Sequence, residues 1–209
     1  SACLVGSEMC IRDRFYFVNA FLHIVKELGV TVDDVSELAS IGQWLKEESA
    51  AWAADVPLET NVAKQLATQL VGKTVIMYSG PKLFPAANKW KICFNENSKN
   101  TAWANYYPEF NHNEFIGWSS HPVEKPFAVV EIRSTLEHER TQKRFDVSER
   151  LLSGMRPSPI VVTPRGDTLL KQLAWSFALG DFVSIYMGIL NGVNPTPVEL
   201  VEKLKQELG

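Results

Sequence analysis

Cysteine is scarce: Cys3, Cys10 and Cys93 are scattered over 209 residues. That is too few and too dispersed for a disulfide framework or a zinc cluster, and it fits a reducing, cytoplasmic setting. Positive charge is not in excess either. The 21 Lys and Arg against 24 Asp and Glu leave a formal charge of −3. No basic field is therefore available to hold a nucleic acid backbone. A secretory leader is not expected, because Glu8, Arg12, Asp13 and Arg14 stand where an apolar stretch would be needed. The run Phe15 to Val25 is too short to span a bilayer and contains Asn19 and His23, so no membrane segment is expected. There is no internal repeat, no low-complexity segment, and no G-x-S-x-G motif around Ser79 or Cys93 to activate a nucleophile.

What the chain does have is apolar bulk. Hydrophobic residues make up 45%, with 6 Trp, 11 Phe and 5 Tyr, enough to build a core and exclude disorder as the main state. Apolar residues recur at helical spacing over Phe15 to Leu28. They recur again from Val35 to Trp52, after a cap at Asp33 or Asp34 and before a break at Pro57, and over Asn61 to Leu70. The pattern then changes. Thr74 to Tyr78, Phe127 to Ile132 and Pro159 to Thr163 are short β-rich runs, and Ala102 to Tyr107 is a weaker one. Between and after them lie helical stretches at Leu83 to Phe94, Glu137 to Leu152, Leu169 to Leu190 and Val198 to Leu208. Strands alternating with helices predict an α/β domain, a three-layer sandwich around a mainly parallel, doubly wound sheet of flavodoxin-like type. Such sheets take ligands beyond the carboxyl ends of their strands. The domain is expected over 72–209, with 15–71 as connecting helices.

Residues 1–14 are set apart. Leu4 to Arg14 reads LVGSEMCIRDR, which resembles the conceptual translation of a sequencing adapter. The stretch is excluded from fold reasoning, and the natural protein is expected to begin further upstream.

Chemistry concentrates in residues 95–114, NENSKNTAWANYYPEFNHNE. Six Asn fall here, with Glu96, Lys99, Glu109, His112 and Glu114. Asn is a poor interior residue of helix and strand, so packing alone does not select this density. One reading is a solvated loop of Asn turns. The other is a polar pocket in which amides, Asn95, Asn97 and Asn113 among them, hold a carboxylate and an imidazole. The nearby Trp103, Tyr106, Tyr107, Phe110 and Trp118 favour the second. Carboxylate and imidazole are the usual acid–base groups near neutral pH, so Glu96 and His112 suit proton transfer. His112, Glu114 and His121 do not have the spacing of a zinc site. Ser79-Gly80 after a strand could cradle an anion, although Pro81 supplies no N–H.

The block Asn95-Glu96-Asn97, Pro108 to Glu114 and Gly117-Trp118 resembles the signature of bifunctional phosphoglucose/phosphomannose isomerases, members of the sugar isomerase (SIS) superfamily. Leu179-Gly180-Asp181, Ser184-Ile185-Tyr186 and Asn194 to Val198 are similar too. The resemblance implies two SIS domains per subunit, a homodimer with a shared active site, and neither metal nor organic cofactor. It implies interconversion of glucose 6-phosphate or mannose 6-phosphate with fructose 6-phosphate. Glu96 matches the base that moves a proton through a cis-enediol(ate). His112 matches the histidine that assists ring opening from the neighbouring subunit. The phosphate-binding loop belongs to a first SIS domain that this chain lacks, so the chain alone is expected to be inactive. Asn191 aligns with a family lysine at the substrate, and Lys82, Lys89 and Lys91 are possible stand-ins for that charge. The alternative is a non-catalytic SIS module that binds a sugar phosphate as a regulator; bound zinc would indicate instead a metal-dependent hydrolase.

Overall fold

The computed structural model describes residues 14–29, 34–120 and 126–208, so the adapter-like stretch before Arg14 and His121 lie outside the described residues. Two helices, α1 (Arg14–Glu27) and α2 (Asp34–Ala50), precede the sheet. The third, α3 (Val62–Leu70), starts where the Asn61 side chain accepts the Lys64 N–H at 3.1 Å. Strand β1 (Thr74–Ser79) follows, then a 3₁₀ turn (Pro81–Leu83) and α4 (Phe84–Glu96). Next come β2 (Ala102–Tyr106), the short α5 (Glu109–Asn113), a 3₁₀ stretch (Phe115–Ser120) and β3 (Phe127–Ile132). Helix α6 (Glu139–Leu151), β4 (Ile160–Val162), α7 (Leu169–Leu190) and α8 (Glu199–Leu208) complete the order.

The four strands form one parallel sheet in the order β2-β1-β3-β4, with Met77 opposite both Ala104 and Val130. β1 and β3 are buried on both faces, which is why they read as continuous apolar runs. Val75, Met77, Ala128, Val130 and Ile132 face α3, α4 and α7; Ile76, Tyr78 and Val129 face α5 and α6. The three-layer α/β/α expectation thus holds. Trp52, Leu66 and Leu70, from the stretch expected to be only connecting, share one core with the sheet.

Two features need the tertiary structure. By length and composition, α7 is the one helix among the described residues apolar enough to cross a membrane. Leu179, Val183 and Met187 sit in the core, so this apolarity is that of a core helix. On the opposite face, Glu131 of β3 is wholly buried between Arg156 (2.7 Å) and Arg133 (2.7 Å), and the Tyr107 hydroxyl donates to it at 3.2 Å.

Candidate functional site

In a parallel α/β unit the helix runs back against its strand. The carboxyl end of α4 therefore returns to the amino edge of the sheet, and Glu96, its last residue, lies there. Asn95 fixes this corner: its Oδ1 accepts the N–H of Ala102, the first residue of β2, at 2.9 Å. Asn100 ties the same loop to β1 by donating to the Lys73 carbonyl at 2.9 Å. The carboxyl end of α7 returns to this edge too, and the Asn191 amide donates to the Ser98 carbonyl at 3.0 Å. Between the two helix ends opens a cavity of about 800 Å³, whose lining includes Asn95, Glu96, Lys99, Asn194 and Glu199. Glu96 is half-buried there, and its Oε2 is buried with no hydrogen-bond partner.

The other expected residues are distributed unevenly. Asn97 is buried, and its amide donates to Ser184 Oγ at 2.7 Å, bolting α4 to α7. His112 and Asn113 are exposed on α5, where the Asn113 amide donates to Glu109 at 2.5 Å. α5 follows the carboxyl end of β2 and packs on the opposite face. The five residues of β2, at about 3.3 Å each, put about 16 Å between the loop of Glu96 and the turn that leads to His112. The chain therefore brings Asn95 and Glu96 to one cavity, sets Asn191 at the same edge but outside the lining, and keeps His112 and Asn113 apart from them. The ligand end anticipated beyond the strand carboxyl ends is also not where Glu96 lies.

Lys99 was seen in sequence only as one residue of a polar segment. Its φ of 51° turns the chain back, and its ammonium donates to the Glu96 carbonyl at 2.6 Å and the Pro195 carbonyl at 3.3 Å. Desolvation pulls its pKa below the ordinary lysine range, against the opposing pull of the Glu96 and Glu199 carboxylates. Only its three-residue spacing from Glu96 could have signalled this. Of the other lysines considered, Lys82 is at the opposite edge of the sheet. Lys89 is buried and paired with Asp181 of α7. Burial pushes the neighbouring Cys93 thiol up to about 12, which leaves it no thiolate near neutrality. No three His, Cys, Asp or Glu side chains among the described residues cluster as metal ligands.

Residues 59–208 match the family described as the bacterial phospho-glucose isomerase C-terminal SIS domain. The chain belongs to this family. Among its relatives, the bifunctional phosphoglucose/phosphomannose isomerase of Aquifex aeolicus is 32% identical over 145 residues, 69% of this chain and 45% of that protein. The enzyme of the same description from Caldicellulosiruptor bescii is 32% identical over 180 residues, 85% of this chain and 52% of that protein. The SIS domain therefore spans about half the length of the curated relatives it matches. A crystallised glucose-6-phosphate isomerase like protein from Thermus thermophilus superposes with a TM-score of 0.66 at 23% identity, covering 82% of this chain and 56% of that one. That likeness establishes the fold as the SIS α/β sandwich.

Proposed function

We propose that this SIS domain is the C-terminal part of a cytoplasmic aldose–ketose isomerase that interconverts glucose 6-phosphate or mannose 6-phosphate with fructose 6-phosphate, with Glu96 as its base. The observation that carries the reading is the Glu96 carboxylate, half-buried on a cavity large enough to admit a sugar phosphate, with one oxygen buried and unpartnered. One carboxylate can take the C2 proton of the open-chain aldose and return it to C1, on the same face of the planar cis-enediolate. The reaction is redox-neutral within the substrate, so no cofactor is required. Asn95 holds the corner that aims Glu96, and Asn97 and Asn191 brace it from behind. Lys99 offers the positive charge that Asn191 does not. His112, exposed and beyond reach of its own Glu96, is read as serving the site of a second copy in a homodimer. A first SIS domain would supply the phosphate anchor that orients the sugar; the chain alone forms no product.

In the longer enzyme, Glu96→Gln is expected to abolish exchange of the C2 proton with solvent while leaving sugar-phosphate binding within a few-fold of normal. Exchange that persists in this variant removes Glu96 from the role.

A further inference from the structure

In this sheet the crossover from β1 leaves by α4 on one face, and that from β3 leaves by α6 on the other. Between their carboxyl ends lies the crevice where open α/β sheets take ligands. The Glu137 side chain, from the loop after β3, occupies it. Glu137 is only 6% exposed, and its Oε1 accepts the main-chain N–H of Lys82 at 2.7 Å. A methyl group at position 80 would overlap the carboxylate, so Gly80 is what lets it approach. The Lys82 ammonium is turned away onto the Leu136 carbonyl at 2.5 Å, so the main chain holds the carboxylate.

We propose that this crevice is an oxyanion site that the chain fills with its own Glu137, which keeps phosphate groups out of the usual ligand position of the fold. The parts are those of a phosphate cradle: a strand end, a glycine that lets an oxygen come close, and an inward N–H. A carboxylate already bound there shows that the chemistry accepts an oxyanion. A second observation points the same way. Ser79, next to Gly80, is fully buried, and its Oγ has no hydrogen-bond partner. A buried hydroxyl without an acceptor beside this loop is a group that an oxygen of a bound phosphate could satisfy. The loop is also built to deliver Glu137. Ser134 Oγ donates to Gln172 at 2.5 Å and accepts the Leu136 N–H at 3.0 Å, and the Gln142 amide donates to the Glu137 carbonyl at 2.9 Å. With this end closed, a phosphorylated ligand is directed to the opposite edge, where the Glu96 cavity lies. The inference stands whether or not Glu96 is the base.

The test is a titration of the 209-residue chain with inorganic phosphate, read at the Lys82 backbone amide by NMR, with chloride at matched ionic strength as control. The natural chain is expected to show no saturable shift. Glu137→Ala is expected to show one in the millimolar range, and a rise of several degrees in its melting temperature with phosphate. Glu137→Asp, which withdraws the carboxylate by one methylene, is the milder variant and should respond in the same direction. Saturable binding at Lys82 in the natural chain, or phosphate that neither shifts the Lys82 amide nor stabilises either variant, overturns the proposal.

Discussion

Glu96 keeps its Oε2 buried without a donor, an arrangement that costs free energy unless a ligand's hydrogen relieves it. Beside it, Lys99 returns its ammonium onto the Glu96 carbonyl from a left-handed backbone position. Under the proposed reaction, an enediolate developing in this cavity would need positive charge, and Lys99 is the cation on its lining. Lys99→Met in the longer enzyme is therefore expected to lower kcat by about 100- to 1,000-fold, the usual effect of losing one oxyanion stabiliser. KM should move little, and Lys99→Arg should recover part of the loss in steady-state assays. An unchanged kcat in Lys99→Met leaves the charge without a role. Glu96 stood out in the sequence because a carboxylate among asparagines has no packing reason to be there. Lys99 did not, because the turn that aims it is set by a backbone angle, and residue spacing does not reveal that angle.

The elements were largely legible from periodicity, as β1, β3 and α7 show, because strand and helix bury residues at different spacings. Pairings between elements were not. Glu131 sat unremarked in an apolar run, yet it is wholly buried, and its partner Arg156 lies 25 positions further along the chain. Arg156 also stacks over Tyr78 and Phe110. Removing one member of a buried pair strands the other, so Glu131→Ala is expected to cost about 3–5 kcal/mol in urea unfolding at neutral pH. Replacing Arg156 by Met in the same chain should restore part of it. A loss below about 1 kcal/mol would show that the buried guanidinium finds other partners. α4 and α7 meet as closely because position 180 is Gly: a side chain there would meet the ring of Trp90, whose Nε1 donates to the Ser176 carbonyl at 2.6 Å.

For the whole molecule, the separation of Glu96 from His112 across β2 decides how a site could form. If a second copy brings its His112 to this Glu96, then Glu96→Gln and His112→Ala enzymes, each inactive, should complement when mixed. Random reassortment makes half the dimers mixed, each with one intact site, so about a quarter of the natural rate is expected. Mixed dimers that form and stay inactive would mean that the two groups do not act together. The sequence by itself determined the class of fold, the strands and helices, and the polar stretch that holds Glu96, because burial imprints periodicity and unusual residues resist packing explanations. Only the tertiary structure decided which groups meet. It put Glu96 with Lys99 and Asn191 at the amino edge and Glu137 in the crevice at the other end, and it left His112 exposed on a far face. The reason is that a helix antiparallel to its strand carries its last residues to the opposite end of the sheet, and that reversal appears only once the chain is folded.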